Sequence, residues 1–392
     1  MRIGFLFNHD QPHQVAHSLP IALELIRRGG HQVKLAHSNS RIKAEMDRIA
    51  GLYGMKIASR RLKGSRLGPL NAVADKLWPS RRLAVLGRNY DWFESLDLLV
   101  VTEKTSLRIR RKNGLSDLKI IHARHGAGDR AIGFSADSRG FDLSLLAGPK
   151  IRERYLEHGV PRDRMAMTGY VKFDLPEPPR PELDFADPSL PTILYNPHPS
   201  PLLSSWYEMG EKILEAVAND GRYNLIFAPH AMLFQRPIQA SLEKFTLQRV
   251  PKPRRELCEA PNIHVDYGST ASFDMSYTTH ADIYIGDVSS QLYEYLRTPR
   301  PALFADAHGV GRTDDVNFRH WQAGPIFGPD DDVIEAIDHA VASHDQYRAA
   351  QEYLFTRTFD VTHEAAAKRA ADAILARFDV AAKPENAREA AA

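Results

Sequence analysis

Three histidines stand directly after apolar, strand-forming runs, where a side chain is carried to the edge of a sheet instead of into its core. His125 follows the run IIHAR and enters a turn at Gly126 and Gly128. An imidazole in that place can take a proton from a substrate hydroxyl. His230 follows NLIFAP, with Pro229 fixing the turn, and Asn196 and His198 close the run TILYNPH. A single loop histidine is more often structural than catalytic; the repetition of one placement is what points to a shared site. A fourth segment, ADIYIGDVSSQLYEYLRTPRPALF, ends a short strand at Gly286, turns at Asp287 and sets Ser289 and Ser290 where a helix opens. Free N–H groups, a helix dipole and two hydroxyls suit a phosphate there, although ordinary capping by Asp287 or Ser289 explains the same residues as well.

Several patterns imitate other chemistries. His9, His13 and His17 recur every four residues, as metal ligands on one helix face would, but Gln11 and Pro12 place the segment in a loop. His17 is therefore assigned to acceptor contact, and no metal or cofactor is expected. Asp330 to Asp332 supplies a D-x-D, yet it directly precedes the apolar-periodic VIEAI and reads as a helix cap. Gly126, Gly128 and Ala131 match a dinucleotide fingerprint only outside the first βαβ unit, a weak basis for a nicotinamide cofactor.

The elements that must position these side chains alternate between the two periods. Strands are expected at 2–8, 31–37, 98–101, 118–122, 143–146 and 165–168, with helices at 18–28 and 149–158. Residues 174–191 contain six prolines in eighteen positions, too dense for a helix or a central strand, and form the linker. A second series follows: strands at 192–196, 224–228, 262–266, 282–286 and 301–305, and helices at 206–218, 238–248, 289–297, 333–342 and 365–377. Such alternation builds parallel sheets covered on both faces. The expected architecture is α/β: a Rossmann-like acceptor-side domain (1–173), the linker, a Rossmann-like donor-binding domain (192–378) facing it across a cleft, and a flexible tail (379–392).

The chain has 392 residues, 43% of them hydrophobic, enough to bury two cores. With 51 Lys and Arg against 49 Asp and Glu it is not uniformly basic, which disfavours a nucleic-acid-coating protein. The one cysteine, Cys258, excludes a disulfide framework or a cysteine-rich metal centre and fits a reducing, cytoplasmic compartment. The amino terminus is too short an apolar run for a signal peptide, and no segment approaches the roughly 18 apolar residues of a membrane span. Charge is nevertheless polarised: residues 56–112 hold fourteen Lys and Arg against five Asp and Glu, interleaved with Leu70, Leu77, Trp78, Leu83, Leu86, Trp92 and Phe93. That mixture suits peripheral contact with an anionic inner membrane face, or equally a solvated basic surface. No recognised RNA- or DNA-binding pattern accompanies it.

Taken in order, the segments resemble the CDP-glycerol glycerophosphotransferase family, enzymes of GT-B fold that build teichoic-acid-type polyol phosphates. His125-Gly126 resembles the family's His-Gly; TGYVKFD (168–174) its T-G-Y-P-R-x-D; ILYNPH its I-L-Y-A-P-T; APHAM its K-P-H-P; and GDVSSQLYEYLRTPRPALF its T-D-Y-S-S block. AGPIF (323–327) resembles a terminal P-G segment. The resemblance implies His125 as the base, His230 at the donor pyrophosphate or the departing nucleotide, and Asp287, Ser289, Ser290 and Gly126 at the donor phosphates. Asn196, His198, Lys172 and Arg124 would line the donor side. The chain departs from the family at Arg124, Val171-Lys172 and Asn196-Pro197-His198. The implied activity is metal-independent transfer of glycerophosphate from CDP-glycerol to a lipid-linked or envelope glycan hydroxyl. Its rivals are a GT-B glycosyltransferase using a UDP- or CMP-sugar and a noncatalytic nucleotide-binding module.

Overall fold

The computed structural model describes residues 1–9, 11–64, 80–129, 134–235, 237–241, 246–311 and 315–379. Two sheets, each wholly parallel, organise it. The first has the order β3-β2-β1-β4-β5-β6-β7, built from Arg2–Phe7 (β1), Gln32–His37 (β2), Ser59–Arg61 (β3), Leu98–Val101 (β4), Lys119–Ala123 (β5), Leu143–Leu146 (β6) and Met165–Met167 (β7). The strands of the second are Thr192–Asn196 (β8), Asn224–Phe227 (β9), Ile263–Val265 (β12), Ile283–Gly286 (β13), Ala302–Ala305 (β14) and Ile326–Phe327 (β15), in the order β12-β9-β8-β13-β14-β15. Central strands such as LLVV, TILYN and ALFA are buried at every residue, the pattern of a sheet covered on both faces.

The chain divides into two units, Met1–Gly126 with Phe134–Pro176 and Arg357–Ala392, and Ala127–Gly133 with Glu177–Thr356. The expected second domain ran to residue 378; instead the chain returns to the first unit at Arg357. The reason lies in the Ala366–Phe378 helix, whose Ala366, Ala367, Ala370, Ala371 and Ile374 are buried with Ile21 and Leu25 in the core of the first sheet. Small side chains let two helices approach closely, and Asp174 receives the new helix by accepting from the N–H groups of Ala366 (2.9 Å) and Ala367 (2.6 Å). The aspartate of the TGYVKFD motif is thus a cap supplied from elsewhere in the chain. Replacing it, Asp174→Ala, should cost about 1–2 kcal/mol, read as a lowered Tm in thermal denaturation.

Two further expectations change. The segment 238–248, expected as a helix, is a hairpin of Ile238–Ser241 (β10) against Thr246–Arg249 (β11), as the alternation in IQAS and TLQR favours. In the basic stretch, Leu86, Trp92 and Phe93 are buried with Ile109 and Phe141 in a core under the first sheet, so these apolar residues are not available to a membrane. Among the described residues, Arg60 pairs with Asp91, Arg82 with Glu103 and Arg110 with Asp142. Leu70, Leu77, Trp78, Ala131 and the tail from residue 380 lie outside the described residues. Among the described residues, no helix is long and apolar enough to cross a membrane.

Candidate functional site

In an open parallel sheet, adjacent strands whose connections run to opposite sides leave a crevice beyond their carboxyl ends. In the second unit that switch falls between β8 and β13, which lie side by side in parallel register. β8 ends at Asn196 and delivers His198; β13 ends at Gly286 and delivers Asp287, Ser289 and Ser290. β9, on the other side of β8, delivers His230. Sequence patterns separated by up to about a hundred positions therefore meet at one sheet edge.

The two histidines have matching hydrogen bonds. His198 Nδ1 accepts from the N–H of Ser200 at 3.0 Å, and His230 Nδ1 accepts from the N–H of Met232 at 3.2 Å. A backbone N–H can only donate, so in each neutral ring the proton sits on Nε2, which becomes a donor. Their ring centroids are 6.1 Å apart. Burial pushes the His230 imidazole down to about 4, which keeps it neutral at pH 7. Asn196 is buried and donates from Nδ2 to the carbonyl of Ala228 at 2.6 Å, locking the ends of β8 and β9 together.

Asp287 is a framework residue. Its carboxylate accepts from the N–H groups of His198 (3.0 Å), Ser205 (2.8 Å) and Val288 (2.6 Å) and from the Ser205 hydroxyl (3.1 Å). Burial pushes its carboxyl up, against the donated bonds that pull it down. A carboxylate so occupied does not hold a phosphate; it folds the His198 loop onto the β13 turn. Ser289 accepts from the N–H of Gln291 at 3.2 Å, and the helix that follows, Gln291–Tyr295, is a single turn. The expected helix over 289–297 is thus much shorter, and its dipole contributes correspondingly little. Beside this turn stand the Ser289 and Ser290 hydroxyls and the His198 and His230 rings.

The first unit presents a different arrangement. His125, half-buried after β5, donates from Nδ1 to the carbonyl oxygen of Thr102 at 2.9 Å. A carbonyl can only accept, so Nδ1 holds the proton and Nε2 of the neutral ring carries the lone pair. This is the opposite tautomer to His198 and His230. Gly126 beside it adopts φ 67°, a left-handed turn that glycine allows at no cost. The same Thr102 carbonyl accepts from His122 Nε2 at 3.3 Å; the His122 Nδ1 then accepts from Tyr155 Oη at 3.1 Å, and its ring stacks on Phe141. His17 is buried, its ring 6.4 Å from that of His125 and 5.4 Å from that of Tyr170. Lys172 is buried as well, and the Arg124 guanidinium lies over the Phe134 ring at 4.2 Å. Among the described residues no three His, Cys, Asp or Glu side chains are grouped to hold a metal ion.

Burial holds His9, His17 and His122 well below the ordinary imidazole range, helped at His17 by Lys172 and at His122 by Arg124. Such groups bind protons more tightly unfolded than folded. Their neutral burial therefore leaves stability intact above about pH 6.5 and drains it as the pH falls below that. Tm recorded from pH 7 to 4.5 should decline steadily, and His230→Gln should make the decline shallower.

Sequence reasoning missed the groups that orient these rings, because Thr102 acts through its carbonyl and His122 lies inside a strand. It also missed two strand-end carboxylates. Asp266, after β12, accepts from the N–H groups of Gly268 (2.8 Å) and Ser269 (2.7 Å); Asp306, after β14, accepts from those of Val310 (2.8 Å) and Gly311 (2.7 Å). With Asp287 they form a recurring signal, an aspartate immediately after the apolar run, that each time organises the following loop. Asp332 does cap the Val333–Ala342 helix, accepting from Ile334 (2.8 Å) and Glu335 (2.9 Å).

No family model matches the chain, and no curated protein does. Solved structures do. UDP-GlcNAc 2-epimerase from Neisseria meningitidis, bound to UDP-GlcNAc, is 13% identical with a TM-score of 0.58, over 96% of this chain and 98% of that one. The Methanocaldococcus jannaschii UDP-GlcNAc 2-epimerase, in complex with UDP-GlcNAc and UDP, is 11% identical with a TM-score of 0.59, over 95% and 99%. CalG4, the calicheamicin glycosyltransferase, is 14% identical with a TM-score of 0.55, over 97% and 99%. The fold is GT-B, with two Rossmann-like parallel-sheet domains.

Proposed function

We propose that the chain is a transferase that takes a nucleotide sugar as donor and moves its activated group to a hydroxyl without a metal. The observation that carries this reading is the opposed tautomers. His125 is oriented by the Thr102 carbonyl as a proton acceptor, whereas His198 and His230 are oriented by backbone N–H groups as donors. Nε2 of His125 removes the acceptor's proton as its oxygen attacks. Nε2–H of His198 and His230, with the Ser289 and Ser290 hydroxyls, meets the charge that develops on the departing nucleotide phosphate. Arg124 and Lys172 add positive charge, Gly126 shapes the turn behind the base, and His17 contacts the acceptor. Structural neighbours that bind UDP-GlcNAc or transfer glycosyl groups support a nucleotide sugar.

A second reading keeps the site and changes the donor to CDP-glycerol, with glycerophosphate transferred to a lipid-linked or envelope glycan. The ordered series of motifs from His125 to Phe327 favours it. The basic residues between 56 and 112 would then rest on an anionic, cytoplasmic membrane face through charge alone. Calorimetric titration with UDP-sugars, CMP-sugars, CDP-glycerol and CDP-ribitol, followed by assay of nucleotide release, separates the two. Tight binding and turnover of a nucleotide sugar is expected. Turnover of CDP-glycerol alone replaces the first reading with the second, and conversion of UDP-GlcNAc without an acceptor replaces transfer by epimerisation. Binding of a donor with no turnover of any would leave a noncatalytic module.

A further inference from the structure

Under the Asp287–Ser290 turn lies a buried carboxylate–imidazole pair that none of the motifs accounts for. Asp129 follows His125 by four residues but belongs, with residues 127–133, to the second unit. Its Oδ2 accepts from Tyr293 Oη at 2.6 Å and from the His320 N–H at 3.2 Å, and faces His320 Nδ1 at 3.1 Å. The other ring nitrogen of His320, Nε2, faces the carbonyl oxygen of Asp287 at 2.9 Å. Carboxylate and carbonyl oxygens only accept, so the ring is held between two acceptors, one at each nitrogen. The two side chains are 2% and 3% exposed.

Desolvating such a pair costs about as much as its attraction returns, so stability is a poor explanation for it. Its connections suggest a better one. The Asp287 carbonyl faces His320 Nε2 at 2.9 Å and accepts from Trp321 Nε1–H at 2.6 Å, two contacts that fix the plane of the peptide leading to Val288. Tyr293, three residues past Ser290, is held by the same carboxylate oxygen. Gly128 lies so close that a Cβ added there would stand 3.5 Å from the Ser290 Cβ. Asp129 thus holds the turn from its carbonyl side and from its helix, while the Asp287 carboxylate holds it from the His198 loop.

We propose that Asp129, through the His320 ring and the Tyr293 hydroxyl, is a positioning residue that sets the orientation of Ser289 and Ser290 toward a nucleotide diphosphate. The inference rests on the reading of that turn as the donor-phosphate site. It places no part of Asp129 on the substrate.

The test uses the full chain. Asp129→Asn keeps the shape and removes the carboxylate that holds the His320 ring and the Tyr293 hydroxyl. Its affinity for UDP and for uridine, its donor KM and kcat, and its Tm are compared with the unmodified protein. A tenfold or greater loss of UDP affinity and a matching rise in donor KM are expected, with kcat and uridine affinity changed less than threefold. A merely structural role would weaken UDP and uridine together, and that result overturns the inference, as does an unchanged UDP affinity. If Asp129→Asn does not fold, Tyr293→Phe, which removes one hydroxyl, should show the same split at smaller size, and an unchanged UDP affinity there is equally decisive. Failure of the unmodified protein to bind UDP or CDP would overturn the phosphate reading itself, a distinct outcome from normal binding that Asp129→Asn leaves intact.

Discussion

His125→Ala should lower turnover about 10²–10⁴-fold while leaving donor affinity within a factor of two and Tm within a few degrees. The size follows from what the side chain is asked to do, which is to accept one proton in the transition state. The selectivity follows from where it sits. The ring is half-buried at the end of β5 and its Nδ1–H goes to a backbone carbonyl, so truncation leaves Thr102 O with the His122 partner it already has. His125→Gln is the sharper variant, because the amide can keep the Thr102 hydrogen bond but cannot accept and pass on a proton. A loss in His125→Gln equal to that in His125→Ala assigns the effect to proton transfer. Recovery to near-normal turnover in His125→Gln would reduce His125 to a hydrogen-bonding role.

Much of this site was legible before any coordinates. Apolar runs followed at once by His125, His230 and Asn196-Pro197-His198 mark strand ends because a buried parallel strand needs a continuous apolar stretch and a polar residue can follow only where the sheet edge begins. Strand 98–101 and helix 333–342 coincide with Leu98–Val101 and Val333–Ala342 for that reason, their boundaries being set by burial and by the Asp332 cap. What was not legible depends on distant partners. The return of the Ala366–Phe378 helix to the first unit is written in its alanines only once the Leu19–Arg28 helix is known to face them. The tautomers of three histidines are set by backbone atoms whose identity the sequence does not vary. Asp129 and His320, 191 positions apart, have no shared pattern at all. The segment 238–248 misled because Ile238, Leu242 and Phe245 stand at helical spacing, which the flanking alternation contradicts.

Asp287→Ala should be the most damaging single change in the second unit. The substitution strips partners from the N–H groups of His198, Ser205 and Val288, all held at a position that is 1% exposed. An orphaned buried donor costs about 1–3 kcal/mol, so three approach the whole stability of an ordinary domain. A fall in Tm of about 10 °C or more is expected, with poor recovery of folded protein. Asp287→Asn should fall between, since one remaining oxygen still accepts while the amide nitrogen meets a donor. Ser289→Ala gives the contrast that matters for function. Its hydroxyl accepts the Gln291 N–H at the start of a one-turn helix, so its removal should cost about 1 kcal/mol and barely move Tm. If the hydroxyl also meets the donor phosphate, affinity for UDP should fall several-fold in Ser289→Ala, and further in the Ser289→Ala, Ser290→Ala double variant. Unchanged affinity in the double variant would leave Ser289 with its capping role alone, and would put the phosphate wholly on the imidazole Nε2–H groups of His198 and His230.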